Sequence, residues 1–240
     1  MIDTALFNPQ PRIERLDFAN GQFCLVVDDA LRRPERLRQF AVEHRDRFVH
    51  APFNAYPGIE LPMPPDITAQ LNEFFMLHIR SLLGGRRTLK MNCRMAMVTV
   101  PPHALEARQR LCHRDSAWIA PDHSIAASVL YLFEDPALGG TSFYAPKQTP
   151  QETDLLVHDS STLDNAAFSA RYDVAQAYMT GSNAYFERIG RAPAQWNRMI
   201  FYDGRIFHSG EVGSPQALSG DPLTGRLTLN GFFTCSRKAV

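Results

Sequence analysis

The sequence predicts a mainly β protein, either a β-sandwich or a barrel-like jelly roll, with helices packed outside it. Many short segments with alternating apolar and polar residues lie between glycine- and proline-rich turns, which is typical of antiparallel sheets. The 240 residues, 45% of them hydrophobic and 21% charged, suffice for a large core. No linker divides the chain, so we expect a single domain over 1–240, with supporting elements at 1–87 and a β core at 88–240.

The N-terminal part contains one predicted strand and two predicted helices. The apolar run at 23–27 is typical of a short buried strand. Apolar residues at helical spacing predict helices over about 32–48 and about 67–83. The proline-rich segment 56–65 between them is predicted to be an extended loop, because proline lacks a backbone donor.

The rest of the chain is predicted to form the β core, with one helical insertion at about 164–189. Segment 124–133 gives the clearest alternating pattern. The turn that follows predicts a hairpin, with a returning strand at 141–145. The other predicted strands are 88–100, 196–203, 205–210 and 226–234.

Charge and composition exclude several classes of protein. The chain has 25 basic and 25 acidic residues, so nothing indicates a nucleic-acid or anionic-membrane partner. No apolar run approaches the roughly 18 residues of a membrane helix, and the first residues lack the pattern of a secretory signal. The four cysteines are scattered and form no CxxC pair, so we expect reduced thiols in a cytoplasmic protein. The oligomeric state is left open.

Two His-x-Asp motifs are present, and geometry separates them. His44 and Asp46 lie in a predicted helix, where residues two apart point about 200° apart and cannot bind one ion. His113 and Asp115 lie between β-like segments, where residues two apart project to the same side. His208 is the leading candidate for a third ligand. Two imidazoles and one carboxylate form the facial triad that leaves open positions on Fe(II), whereas a structural zinc site requires four ligands.

A candidate carboxylate-binding site follows in the last predicted strand, where Arg226, Thr228 and Asn230 share one face. The guanidinium can bind both carboxylate oxygens and the Thr228 hydroxyl adds a donor. A metal triad beside such a site suits a dicarboxylate such as 2-oxoglutarate, whose keto-acid end chelates iron. Tyr131 is either a further co-substrate ligand or a core tyrosine with a satisfied hydroxyl, and Trp118 is either a pocket wall or a packing residue.

These segments resemble the Fe(II)- and 2-oxoglutarate-dependent dioxygenases, in particular the prolyl 4-hydroxylase-like branch, over about 90–234. The resemblance rests on the order of a His-x-Asp motif, a strand, a GG-T-x-F turn, a distal histidine and an arginine strand. It is carried by the segments HRD (113–115), ASVLYLFEDPALGGTSFY (127–144), FYDGRIFHSG (201–210) and RLTLNGFF (226–233). It implies a double-stranded β-helix, with iron bound by the triad and 2-oxoglutarate bound by Arg226 and Thr228.

The resemblance also implies a reaction. 2-Oxoglutarate would be decarboxylated to succinate and CO2 while a C–H bond of a small molecule, amino acid or peptide is hydroxylated. Asp115 favours hydroxylation over halogenation, because halogenases of this family lack the carboxylate.

The chain departs from that branch in two ways. The branch usually uses lysine where this chain has Arg226, and the 18 residues from His208 to Arg226 exceed its usual spacing, so a longer loop is expected at 211–225. Two alternatives stay open: a non-catalytic metal-binding or sensor protein with the same fold, and a cupin-like metal enzyme that needs no 2-oxoglutarate.

Overall fold

The computed structural model describes residues 5–50, 55–115 and 120–237. These residues form ten strands and four α-helices. The strands are β1 (Ile13–Asp17), β2 (Phe23–Val27), β3 (Gly58–Pro62), β4 (Gly85–Val98), β5 (His123–Tyr131), β6 (Thr141–Pro146), β7 (Phe186–Ala192), β8 (Met199–Asp203), β9 (Phe207–Gly210) and β10 (Leu227–Arg237). The helices are α1 (Pro34–Glu43), α2 (Pro65–Phe74), α3 (Pro150–Thr162) and α4 (Asn165–Tyr172).

The strands form two antiparallel sheets. The larger sheet has seven strands in the order β1-β2-β8-β5-β10-β4-β3, and the smaller sheet has three in the order β7-β6-β9. Side chains of β5 and β8 in the larger sheet pack against Phe143 of β6 in the smaller one. The predicted mainly β fold, a jelly roll of the double-stranded β-helix type, is therefore confirmed.

The two faces of the larger sheet have different roles, because successive side chains of a strand point to opposite faces. Leu130 of β5 and Leu229 of β10 belong to a core that also contains Leu37 of α1 and Leu71 of α2. The adjacent Tyr131 belongs to the cluster between the two sheets. The N-terminal helices thus cover one face of the larger sheet, and the other face is turned to the interior between the sheets.

The predicted hairpin at 124–145 is wrong. β5 lies inside the larger sheet between β8 and β10, whereas β6 belongs to the smaller sheet. Because both edges of β5 are already paired, β6 has no edge of β5 to bind. A short 3-10 turn at Pro136–Leu138 and a left-handed Gly139 (φ 73°) instead carry the chain from one sheet to the other.

The predicted insertion at 164–189 has the wrong bounds. Helix α3 begins at Pro150, where Thr149 and Glu152 form a capping box, and α4 ends at Tyr172. Residues 186–189, predicted as helical, start strand β7, which pairs with β6. The T-P-x-E sequence at 149–152 is the signal that was available for the start of α3.

The remaining N-terminal predictions differ mainly in length. The proline-rich segment is extended, but it contains strand β3, which pairs with β4 from Gly58 to Pro62. The two predicted helices are shorter than expected, and α2 continues as a π-helical turn at Phe75–Ile79.

Among the described residues, no helix combines the length and the apolar character of a membrane span. The four cysteines are free and buried, as expected.

Candidate metal centre and co-substrate site

The backbone holds the three candidate metal ligands next to one another. His113 forms an antiparallel bridge with His208 of β9, in which each backbone N–H donates to the other's carbonyl oxygen at 2.9 Å. The backbone N–H of Asp115 donates to the carbonyl oxygen of Gly204 at 2.9 Å. The segment 113–115 therefore adds a short row to the edge of the smaller sheet, and this row fixes the directions of both side chains.

The ligand atoms of His113, Asp115 and His208 all lie within 4.8 Å of one another. Asp115 Oδ1 is 3.6 Å from His208 Nε2 and 4.0 Å from His113 Nε2. His208 Nδ1 lies 2.9 Å from the carbonyl oxygen of Ile206, so Nδ1 carries the proton and Nε2 is the free ligand atom. The structure thus brings the three predicted ligands together.

The carboxylate of Asp115 fits a bound cation. The side chain is only 5% accessible, and its Oδ2 atom is buried without a hydrogen-bond partner among the described residues. An unpaired buried carboxylate oxygen is costly, and a divalent cation would remove that cost. Two neutral imidazoles and one carboxylate are also the donor types that Fe(II) accepts in a facial triad.

Loss of hydration inside the fold shifts the pKa of all three groups, including His113, whose ring borders an internal cavity and is 54% accessible. It lowers the pKa of His113 to about 4, with a further contribution from His208, and lowers that of His208 to about 4. It raises the pKa of Asp115 to about 6. Near neutral pH both imidazoles are therefore uncharged and the carboxylate is mainly ionised, which is the protonation state that metal binding requires.

The second His-x-Asp motif forms no such site. His44 caps the end of α1, where its ring stacks on Phe40 at 4.1 Å between centroids and its Nδ1 contacts the carbonyl oxygen of Phe40. Asp46 lies in the 3-10 turn that follows. Across residues 5–50, 55–115 and 120–237, the triad is the one cluster of three histidine, cysteine or acidic residues at ligand spacing.

The triad opens into a cavity of about 510 Å³ between the two sheets. The His113 side chain is 54% accessible because it faces this cavity. The walls include the other two ligands, the three candidate co-substrate residues at or just before the start of β10, and two of the three described lining tyrosines. These residues are Asp115, His208, Arg226, Thr228, Asn230, Tyr56 and Tyr178.

Arg226 is buried and held by the turn between β5 and β6. Its Nε donates to the carbonyl oxygen of Leu138 at 3.0 Å and its Nη2 to that of Gly140 at 2.8 Å. Its Nη1 has no hydrogen bond within the part of the chain that is described. Because Nε and Nη2 already donate to these carbonyl oxygens, a carboxylate cannot bind side-on to that pair of nitrogens. A ligand would instead be bound by the terminal nitrogens. Thr228 shares this cavity, and its hydroxyl donates to the carbonyl oxygen of Ala96 at 3.3 Å.

Tyr131 is placed differently from Arg226 and Thr228. It is fully buried and is not among the cavity-lining residues, and its hydroxyl lies 2.8 Å from Oγ1 of Thr141, which does line the cavity. This placement favours the core tyrosine, and direct contact of Tyr131 with a co-substrate stays a prediction. Trp118 lies outside the described residues.

Sequence reasoning named none of the three described tyrosines of the cavity as a site residue, and two of them, Tyr56 and Tyr178, lie outside the predicted strands. Tyr56 comes from the proline-rich segment before β3, and Tyr178 from the irregular segment after α4. The Tyr178 hydroxyl donates to the carbonyl oxygen of Val100 at 2.5 Å. Burial raises the pKa of both phenols, and the positive charge of Arg226 partly opposes that rise. No local pattern marks either residue, because each reaches the cavity only through the tertiary fold.

Comparison with known proteins gives one family and several distant structures. No curated protein sequence matches the chain. Among solved structures, the chain is similar to a Pseudomonas putida prolyl-4-hydroxylase at 16% identity and TM-score 0.42, covering 86% of this chain and 88% of that one. It is similar to HygX from Streptomyces hygroscopicus with nickel, 2-oxoglutarate and hygromycin B bound, at 11% identity and TM-score 0.46, covering 90% and 83%.

It is also similar to EvdO2 from Micromonospora carbonacea var. aurantiaca complexed with 2-oxoglutarate, at 12% identity and TM-score 0.43, covering 96% of each chain. A family model matches residues 9–233, which is nearly the whole chain. The chain therefore belongs to the family of unknown function DUF6445.

Proposed function

We propose that this chain is an Fe(II)- and 2-oxoglutarate-dependent oxygenase that hydroxylates a C–H bond of a small molecule, amino acid or peptide. The observation that carries the proposal is the convergence of His113, Asp115 and His208 within 4.8 Å, in a cavity that Arg226 also lines. A three-residue ligand set suits a catalytic metal, because it leaves coordination positions for a co-substrate and oxygen.

Three side chains of this chain would bind the metal. His113 and His208 supply uncharged nitrogen ligands, and Asp115 supplies the anionic oxygen. The backbone bridge between the two histidines fixes their separation before a metal binds. When bound, Fe(II) with 2-oxoglutarate and oxygen would supply the oxidation of the substrate, with succinate and CO2 as co-products.

Arg226 would bind the far carboxylate of 2-oxoglutarate. Two hydrogen bonds to backbone carbonyls hold its guanidinium rigidly, so little side-chain entropy remains to be lost when a ligand binds. Thr228 and Asn230 follow on β10 and line the same cavity, and we assign them to the co-substrate as well. The expected long loop before Arg226 is present, since β9 ends at Gly210 and β10 begins at Leu227.

The first test is succinate formation with Fe(II), 2-oxoglutarate and oxygen, with and without candidate substrates, together with direct measurement of iron binding. Turnover that depends on Asp115 and both histidines supports the proposal. Absence of turnover together with absence of iron binding would favour the non-catalytic alternative.

The second test separates this proposal from a metal enzyme that needs no 2-oxoglutarate. Arg226→Ala should raise the KM for 2-oxoglutarate at least tenfold, as expected for losing a charged hydrogen bond worth about 1.5–3 kcal/mol. This variant also leaves the carbonyl groups of Leu138 and Gly140 unpaired, so Arg226→Lys and a thermal melt are needed beside it. Arg38→Ala, at an exposed ion pair with Glu134, is the matched control. Unchanged activity of a folded Arg226→Ala protein would contradict the proposal.

A further inference from the structure

The walls of the cavity carry more positive charge than the triad and the co-substrate require. Asp115 is the one carboxylate among the described lining residues. Five cationic side chains share the cavity, namely Lys90, Arg94, Arg108, Arg114 and Arg226. Arg226 is assigned to 2-oxoglutarate, which leaves four cations without a role in the proposed reaction.

Three of these cations form only an exposed ion pair or no ion pair within the described residues. Arg108 pairs with Glu106 at 2.7 Å and Arg114 with Asp154 at 2.9 Å, but the two acids are 58% and 66% accessible. Such exposed pairs contribute little free energy, so a ligand can compete with them. Lys90 forms no ion pair within the described ranges. These residues form a basic rim that attracts anions toward the cavity.

Arg94 differs from the rim because its carboxylate partner, Glu60, is buried, whereas the partners of Arg108 and Arg114 are exposed. Arg94 lies on β4, directly opposite Asn230 of β10. Its Nε is 2.5 Å from a carboxylate oxygen of the buried Glu60, and its guanidinium lies 4.4 Å from the ring centroid of Phe232. The side chain remains 30% accessible and lines the cavity. Because Glu60 contacts Nε, the two terminal nitrogens are left for a ligand.

Arg94 and the three candidate metal ligands line the same cavity. A molecule whose anionic group is bound to Arg94 would therefore extend into the space that the triad also faces. The cavity, at about 510 Å³, has the size of a small-molecule site, for which roughly 300–1,000 Å³ is typical.

We propose that the substrate is a small organic oxyanion, a carboxylate or a phosphate ester, whose anionic group binds to the terminal nitrogens of Arg94. The inference rests on the proposed function and specifies its substrate class. Arg94 is a specificity-determining residue in this scheme, and the basic rim of Lys90, Arg108 and Arg114 increases the rate of capture.

The test uses the full chain loaded with Zn(II), which does not turn over, and with saturating 2-oxoglutarate to fill the site at Arg226. Small carboxylates, phosphate monoesters and primary amides with the same carbon skeletons are titrated by calorimetry. We expect at least one class of oxyanion to bind about tenfold or more tightly than its matched amide, which corresponds to about 1.4 kcal/mol. Equal binding of oxyanions and amides would overturn the inference.

Substitutions test whether Arg94 causes the tighter binding of oxyanions. Arg94→Gln should abolish the difference in affinity between an oxyanion and its matched amide. Because this change leaves Glu60 as a buried charge without Arg94, the double variant Glu60→Gln/Arg94→Gln is measured as well. Arg38→Gln is the matched control, since Arg38 also combines a carboxylate contact with stacking on an aromatic ring but lies outside the cavity. A folded double variant that keeps the oxyanion preference would refute the role of Arg94.

The two proposals fail in different ways. A wild-type chain that binds metal and 2-oxoglutarate but shows no oxyanion preference refutes the substrate class and leaves the oxygenase proposal standing. A chain that binds neither metal nor 2-oxoglutarate refutes the oxygenase proposal, and the substrate inference falls with it.

Discussion

The pH dependence of metal affinity tests the electrostatics of the triad. In the proposed site a metal would compete with protons for His113, Asp115 and His208, and the relevant pKa values are those of the metal-free protein. Burial places them at about 4 for each imidazole and about 6 for the carboxyl group. Lowering the pH from 8 to 5 therefore protonates mainly Asp115, and the two imidazoles stay largely neutral.

The structure gives this loss a magnitude. With pKa values of about 6, 4 and 4, the affinity at pH 5 falls about 13-fold relative to pH 8, or about 1.5 kcal/mol. With the ordinary values of 3.8 for the carboxyl group and 6.5 for each imidazole, the loss is about 1,000-fold, or about 4 kcal/mol. Burial thus predicts a site that keeps its metal in mild acid.

The assay is titration with Mn(II) between pH 8 and pH 5, with the free ion measured by electron paramagnetic resonance. This reads the free ion directly and avoids a chelator that itself takes up protons. His44→Ala, in the other His-x-Asp motif, is the control and should change nothing. An affinity that falls about a hundredfold per pH unit below pH 6.5 would show that two groups take up protons there, so that at least one imidazole titrates near its ordinary pKa, and would refute the reasoning.

Three other substitutions probe the same region. Asp115→Asn should weaken metal binding at least about tenfold. It should also raise the free energy of unfolding of the metal-free protein by about 3 kcal/mol at most near pH 7.5, measured by urea denaturation. The reason is that folding raises the pKa of Asp115 from 3.8 to about 6, so the carboxyl group destabilises the fold increasingly between these pH values, fully above about pH 6, and not at all below 3.8. Gly204→Ala would place a Cβ atom 2.9 Å from Asp115 Oδ2, so Mn(II) affinity should fall about 10–100-fold, whereas Gly213→Ala, with open space around its Cβ, should leave it unchanged. Tyr131→Phe should cost about 1 kcal/mol in a thermal melt through the lost contact with Thr141, while the KM for 2-oxoglutarate stays within about twofold; a large rise in KM would instead show direct contact.

Local pattern was sufficient to select the candidate metal ligands and to predict most strands. His113 and Asp115 could be predicted because an extended chain places residues i and i+2 on one side, and the backbone bridge to His208 shows the segment to be extended. Strand β5 was predicted from its alternation, which reflects two faces buried against different partners.

Long-range pairing and the cavity walls could not be predicted in the same way. The glycine-rich turn after β5 indicated a change of direction, but which strand β6 joins depends on which sheet edges are free. Tyr178 reaches the cavity from an irregular segment, and Arg94 reaches it from β4, which is separated from β8 by β5 and β10 in the larger sheet. No local spacing in the sequence relates either residue to the triad. The capping box at Thr149 was a local signal that the helix prediction overlooked.

The paired backbone hydrogen bonds between His113 and His208 have a consequence for the choice of metal. These main-chain bonds do not depend on an ion, so in the proposed site divalent ions of similar size would meet the same backbone frame. Affinity among divalent first-row metals would then follow their intrinsic order, in which nickel and copper exceed iron. Correct loading would depend on which ion the surroundings deliver, and recombinant protein should carry whatever metal dominates its growth medium and purification.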